Sequence, residues 1–107
     1  MTLRQEKVQG NIKHLAAEFL RKESSGGSLI TVSNATISKD LKKATLFITV
    51  FPESKEKSAL NFAKRKRSDI RNFIKVRLQM RTLPFLDFEI DQGEKNRQRI
   101  DELSLNL

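Results

Sequence analysis

The feature that most constrains the fold is a run of four cations, "KRKR", in the middle of a helical apolar pattern. Apolar residues recur at helical spacing over residues 59 to 63 and again over residues 70 to 78. At that spacing the position between the two halves is Lys66 or Arg67. A single straight helix would place one of these cations in the core, where an unpaired charge costs several kcal/mol. We therefore predict two shorter helices that meet at a break between residues 64 and 69, which turns the cations outward.

Two polar residues after the basic run predict where the second helix begins. A Ser at the N-cap accepts a hydrogen bond from an otherwise unpaired backbone N–H, and a carboxylate in the first turn is stabilised by the helix dipole. Ser68 and Asp69 fit these positions. We expect Ser68 to be the N-cap.

Two β-rich segments, "LITVSNATIS" and "KATLFITVF", precede the helix pair, and the "KDLK" between them is typical of a hairpin turn. In the second segment four alternate residues share one face: Ala44, Leu46, Ile48 and Val50. In the first segment the apolar residues change parity between Val32 and Ala35. Keeping all of them on the buried face requires one extra residue, so we predict a β-bulge near Ser33 or Asn34.

A third strand is predicted after Pro84, where apolar and acidic residues alternate. The inward set is Leu86, Phe88 and Ile90, and the outward set is Asp87, Glu89 and Asp91. Because two helices separate this strand from the second, the two strands are expected to pair in parallel.

Helical patterns also flank this unit. Apolar residues recur from residue 8 to residue 20, and Gly26 and Gly27 are expected to end that first helix. A short closing helix is predicted around Ile100 and Leu103. The sequence thus predicts a single α+β domain over residues 1 to 107, in the order α-β-β-α-α-β, with a three-stranded mixed sheet and helices packed on one face.

The net charge is concentrated in the predicted helix pair. The chain has 21 Lys and Arg against 13 Asp and Glu, and residues 64 to 81 hold eight cations but only one carboxylate, Asp69. Solubility does not require such a cluster, whose members repel one another. A polyanionic partner explains it best, and contact with an RNA or DNA backbone is the main candidate. A protein-interaction domain whose basic face meets an acidic protein or membrane is the alternative.

The cations expected to hold phosphates lie in two places. The main group is on the helix pair: Lys64, Arg65, Lys66, Arg67, Arg71 and Lys75. The secondary group is at the hairpin turn: Lys39, Lys42 and Lys43. Phe47 and Phe51 share the second face of their strand and could stack bases if that face is open, although packing against neighbouring side chains explains them equally well.

Catalysis has little support in the sequence. His14 is the single histidine, there is no Cys, and no P-loop, GxGxxG or HExxH motif occurs. The carboxylates of the third strand are better explained as a solvent-facing row than as a metal site. We expect no enzyme activity, metal, cofactor or small-molecule substrate. Charges are interleaved with the apolar residues of the N-terminus, and no apolar run approaches the length of a membrane span, so we expect no signal peptide, no membrane span and a cytoplasmic protein. We also expect a monomer.

Three stretches carry a resemblance to a known family. "VSNATISKDLKKATLFITVF" holds a Ser-x-Asp-Leu turn followed by a strand that begins with Ala, and "IRNFIKVRLQMRTLPFLDFEID" and "RIDEL" follow in order. The matching positions include Ser38, Asp40, Leu41, Ala44, Ile70, Arg71, Leu78, Arg81, Pro84, Leu86, Phe88 and Asp91. Over residues 8 to 103 the chain resembles the bacterial ribosome-binding factor A family, which has a type II KH-like fold.

The resemblance implies a non-enzymatic assembly factor that binds the immature small (30S) ribosomal subunit during maturation of its 16S rRNA, often linked to growth in the cold. The family has an Ala-x-Gly kink between the two crossover helices, and here Lys66-Arg67-Ser68 stands at that place. A general KH-like RNA-binding module without ribosomal specificity is the other interpretation of the same features.

Overall fold

The computed structural model describes residues 3–23, 28–79, 83–94 and 96. Its elements follow the predicted order: α1 Leu3–Glu23, β1 Leu29–Ile37, β2 Lys43–Phe51, a 3₁₀ turn Glu53–Lys55, α2 Glu56–Arg65, α3 Arg67–Leu78 and β3 Phe85–Ile90. The α+β prediction is therefore confirmed. The expected stop at Gly26 and Gly27 and the closing helix around Ile100 and Leu103 lie outside the described residues.

The three strands form one mixed sheet in the order β1-β2-β3. β1 and β2 are the antiparallel strands of a hairpin, and β2 and β3 run parallel, with Lys43 opposite Phe85 at the end where both strands begin. The two crossover helices supply the long connection that a parallel pair needs. The predicted parallel pairing is thereby confirmed.

The predicted bulge is present at Ser33. Val32 pairs with Ile48 and Asn34 pairs with Phe47, so Ser33 is the unpaired extra residue in β1. Its Oγ donates a 2.5 Å hydrogen bond to Oδ2 of Asp91 and lies 3.2 Å from the carbonyl oxygen of Phe47. Since β2 lies between β1 and β3, the bond to Asp91, which directly follows β3, ties the two outer strands together.

The core lies between one face of the sheet and the helices. The central strand buries Ala44, Leu46, Ile48 and Val50, as the alternation predicted. The helices cover them with a second set of buried residues: Ile12, Ala16, Leu20, Ala59, Ala63, Ile70 and Ile74. On the opposite face the side chain of Phe47 is half-buried and that of Phe51 is exposed, so this face of the sheet is partly open to solvent.

The contrast between the two faces predicts the cost of removing an aromatic ring. Phe88 is fully buried, so Phe88→Ala should lower the free energy of unfolding by about 3–5 kcal/mol. Phe51 is 74% exposed, and Phe51→Ala should change it by no more than about 0.5 kcal/mol. Urea denaturation followed by circular dichroism measures both. Equal losses for the two variants would contradict the assignment of the core face.

Candidate nucleic-acid interface

The basic run lies at a break between α2 and α3. Lys66 separates the helices, and its backbone angles, φ −89° and ψ 6°, fall in the sparsely populated region between the helical and extended conformations. Its N–H donates to the carbonyl of Phe62 at 3.0 Å, and its own carbonyl accepts from the N–H of Ile70 at 2.9 Å. The predicted break is confirmed, and the bend takes one residue.

The N-cap of α3 differs from the prediction. Lys66 occupies that position without a side-chain capping bond, while Ser68 lies one residue inside the helix. The reason is that the backbone of Lys66 closes α2 and opens α3 at once, so the second helix begins before Ser68. The expectation that Ser68 caps the helix was wrong, whereas Asp69 does lie in the first turn.

The cations of the junction differ in their exposure to solvent and in their contacts with other side chains. Lys64, Arg65 and Lys75 are exposed, and Lys66 and Arg71 are half-buried. Nζ of Lys66 lies 3.8 Å from Oδ2 of Asp69. At that length and exposure the pair adds little to stability.

Arg67 makes the most extensive contacts of the basic run. Its Nη2 donates to Oδ1 of Asp87 at 3.3 Å, and its guanidinium carbon lies 4.5 Å from the ring centroid of Phe85. Asp87 and Phe85 alternate with the buried Leu86 and Phe88, so Arg67 reaches from the helical layer around the β3 edge to the open face. We call this contact of Arg67 with Phe85 and Asp87 the edge clamp.

The edge clamp was missed by the sequence reasoning, which grouped Arg67 with the phosphate-binding cations. Arg67 and Asp87 are 20 residues apart, and their meeting depends on the direction of the bend. The one signal in the sequence was an acidic residue on the outward face of a strand that follows a basic helix pair.

The hairpin turn is tightly organised by hydrogen bonds. The hydroxyl of Ser38 donates to Oδ1 of Asp40 at 2.6 Å and accepts from the N–H of Lys43 at 3.0 Å, while the N–H of Lys42 donates to Oδ1 of Asp40 at 3.1 Å. Leu41 adopts a left-handed conformation, φ 61°, which a branched residue tolerates only when its neighbours fix it. The turn therefore presents the exposed Lys39, Lys42 and Lys43 from a fixed backbone.

The same bonds act on the Asp40 carboxyl. The hydroxyl of Ser38 contributes most, and the backbone N–H of Lys42 adds to it, because both stabilise the charged form. The pKa of Asp40 is lowered from its ordinary value.

Phe85 connects the turn to the junction. Its N–H donates to the carbonyl of Lys42 at 2.8 Å, and its ring carries the Arg67 guanidinium. The hairpin turn and the α2–α3 break therefore lie at the same end of the sheet. Arg71 and Lys75 follow along α3, one and two turns beyond Arg67.

An open depression lies beside the junction on α2. Its volume is about 630 Å³, and its described lining residues are Ser58, Asn61, Lys64 and Arg65. Two of the predicted phosphate-binding cations thus border a concave surface.

Comparison with known proteins identifies the family. The model of the family described as "Ribosome-binding factor A" matches residues 4–104. This chain belongs to the ribosome-binding factor A family. It is 34% identical over 107 residues to ribosome-binding factor A of Magnetococcus marinus, covering 96% of this chain and 87% of the relative. It is 32% identical over 106 residues to that of Flavobacterium johnsoniae, covering 94% and 82%.

Solved structures of ribosome-binding factor A have the same fold. The crystal structure of the Thermus thermophilus protein matches with a TM-score of 0.72 and 25% identity, over 80% of this chain and 94% of that chain. A homology model of the Thermus thermophilus factor, as fitted into a cryo-EM map of its complex with the 30S subunit, matches with a TM-score of 0.71 and 25% identity, over 80% of this chain and 93% of that chain. The bend that the resemblance ascribes to Ala-x-Gly forms here with Lys66-Arg67-Ser68.

The other candidate groups take structural positions in this family member. Asp87 bonds Arg67, Asp91 bonds Ser33, and His14 is exposed on α1. Within the described ranges no cluster of three or more His, Asp or Glu side chains could hold a metal ion. Among the helices described, none is both long and apolar enough to cross a membrane.

The edge clamp predicts a measurable coupling between Arg67 and Asp87. A double-mutant cycle with Arg67→Ala and Asp87→Ala should give about 0.5–1 kcal/mol, because the pair is partly shielded from water at 30% and 25% side-chain exposure. The matched cycle with Lys66→Ala and Asp69→Ala should give roughly zero, since those side chains are 39% and 61% exposed. Urea denaturation measures both cycles. A larger coupling for Lys66 and Asp69 would contradict the clamp.

The hairpin turn predicts a pH effect centred on Asp40. Its lowered pKa means that the turn is stabilised above the ordinary Asp value of about 3.9 and loses this contribution as pH falls through the lower, folded value. In an NMR titration the Asp40 carboxyl should therefore have its midpoint below about 3.9. Ser38→Ala should move that midpoint upward. An unchanged midpoint in the variant would show that the Ser38 hydroxyl is not the cause.

Proposed function

We propose that this chain is a ribosome assembly factor that binds the immature small ribosomal subunit and assists maturation of its 16S rRNA. The observation that carries the proposal is the set of exposed cations, Lys64, Arg65 and Lys75, around a helix junction fixed to the sheet edge. Two comparisons support the small-subunit rRNA as the partner. The relatives are named ribosome-binding factor A, and a homology model of one such factor has been fitted into a map of its 30S complex.

The proposed binding is electrostatic. Each Lys or Arg that meets a phosphate releases counterions condensed on the RNA, so affinity falls steeply as salt rises. The positive end of the α3 dipole and the negative end of the α2 dipole meet at this junction and largely offset each other, so the charged side chains supply the attraction. Phosphate contacts of this kind hold the protein in place, and no covalent step is required. The factor therefore acts as one non-enzymatic RNA-binding domain in the cytoplasm, where ribosomes assemble.

The cations divide into two roles in this proposal. Lys64, Arg65, Lys66, Arg71 and Lys75 contact phosphates, with Lys39, Lys42 and Lys43 of the turn as a second contact. Arg67 positions the junction on β3, because its guanidinium is already bonded to Asp87 and stacked on Phe85. It is left unchanged in the test below for that reason.

The triple variant Lys64→Ala, Arg65→Ala, Lys75→Ala should bind small subunits much more weakly than the natural protein. Three lost phosphate contacts should flatten the plot of log K against log salt by about 2–3 units. The fold should be kept, because the three side chains are exposed and Ala favours helix. Sedimentation with purified immature small subunits at several salt concentrations measures this.

The matched control removes three cations from α1, in the variant Lys7→Ala, Lys13→Ala, Arg21→Ala. Both triple variants lose three positive charges, so a difference in binding between them reports the location of the cations and not the net charge. Binding by the α1 variant should be near that of the natural protein. Equal weakening of binding by the two triple variants would contradict a localised site. In a separate comparison, if the natural protein bound an unrelated RNA as tightly as it binds small subunits, a general RNA-binding module would be favoured over a ribosome-specific one.

A further inference from the structure

Phe85 is an exposed aromatic ring placed among cations. Four large apolar side chains of the described ranges are prominently exposed: Leu29, Phe51, Val76 and Phe85. Phe85 is the one among them whose ring contacts a cation of the basic run, Arg67, and its neighbour across the sheet is the exposed Lys43. With the Arg67 guanidinium over one face, its side chain is still 53% exposed.

The backbone that carries the ring is fixed by the sheet, and Arg67 packs against the ring itself. The Phe85 N–H is bonded to the carbonyl of Lys42, and the β2–β3 register places its Cα opposite that of Lys43. Arg67, which covers the ring, is in turn fixed by Asp87. A flat apolar surface that is already ordered loses little conformational entropy when a second flat group stacks on it.

We infer that Phe85 is a stacking site for an unpaired base of RNA, which lies on the ring face away from Arg67 while Lys42 and Lys43 hold the flanking phosphates. The inference rests on the proposed function and names the part of the RNA recognised at this end of the sheet. Aromatic side chains beside cations bind single-stranded RNA in this way, because every base presents a flat π-face.

The charges around Phe85 favour RNA over an apolar segment of another protein. The Arg67 guanidinium lies over the ring, the Cα of Lys43 pairs with that of Phe85, and the backbone of Lys42 is bonded to that of Phe85. An apolar peptide gains nothing from cations on these neighbouring residues. The nearest carboxylate on the same strand face, that of Asp87, is occupied by Arg67. Glu89, further along β3, is exposed and repels phosphates. The RNA backbone is therefore expected to pass over the hairpin turn and not along β3.

The test compares Phe85→Leu with the matched control Phe51→Leu. Both residues are exposed, so both variants should fold, which thermal unfolding verifies. The probes are a short unstructured RNA and the same sugar–phosphate oligomer without bases. Phe85→Leu should weaken binding of the base-bearing RNA by roughly 5-fold or more and leave the abasic oligomer unchanged. Phe51→Leu should alter neither, because Phe51 lies at the opposite end of β2 from Lys43 and the turn, so the open face alone does not make it a stacking site.

A fluorescence measurement supplies a second readout. The natural chain has no Trp and no Tyr, so Phe85→Trp introduces a single indole reporter at the site. Its emission should be quenched by the base-bearing RNA and not by the abasic oligomer. Phe51→Trp should respond to neither.

Three results would overturn the stacking site. If Phe85→Leu keeps full affinity while the Lys64, Arg65 and Lys75 triple variant loses it, the proposed function stands and the stacking site is wrong. If Phe85→Leu weakens both oligomers equally, the ring merely supports Arg67. If it weakens binding to small subunits but not to RNA, the ring contacts protein. If the natural protein binds neither RNA nor small subunits, the proposed function itself fails.

Discussion

The chain cannot bury a cation at the centre of its crossover helix, and the rest of the arrangement depends on that constraint. Apolar residues on both sides of Lys66 must reach the sheet, and Ala63, Ile70 and Ile74 do so because the helix bends between them. The bend turns Lys64 and Arg65 to solvent and brings Arg67 to the edge of β3. The cost of burying the cation at Lys66 thus determines the geometry of the basic surface.

Arg67 makes the bend specific in direction. A like-charged cluster disfavours any close arrangement of its members, so the junction needs a contact that offsets repulsion. The carboxylate of Asp87 and the ring of Phe85 supply it with an ion pair and a cation–π contact. The hairpin turn reaches the same strand through the bond from Phe85 to Lys42. The two basic segments are therefore joined through β3.

The features that follow from local patterns could be predicted from the sequence. Alternation identified the buried face of β2, the parity change located the bulge at Ser33, and the interrupted stripe located the break at Lys66. The edge clamp could not, because it depends on how α3 is oriented against β3, and the position of the α3 N-cap could not, because it depends on how the backbone bends at Lys66. The preference of Ser for N-cap positions predicted Ser68 as the cap of α3, but the backbone bends at Lys66, and Lys66 is therefore the N-cap. Arg67 was predicted to bind phosphate because of its charge, and its charge alone does not indicate the contacts with Asp87 and Phe85.

Lysine footprinting tests the central claim most directly, because acetylation reports the accessibility of each amine in the complex. The chain is treated with an acetylating reagent, free and bound to immature small subunits, and each Lys is quantified by mass spectrometry. The account predicts protection of Lys64, Lys75 and the lysines of the turn on binding, with Lys7 and Lys13 of α1 reacting as in the free chain. Protection of Lys7 with continued reactivity of Lys64 and Lys75 would contradict it.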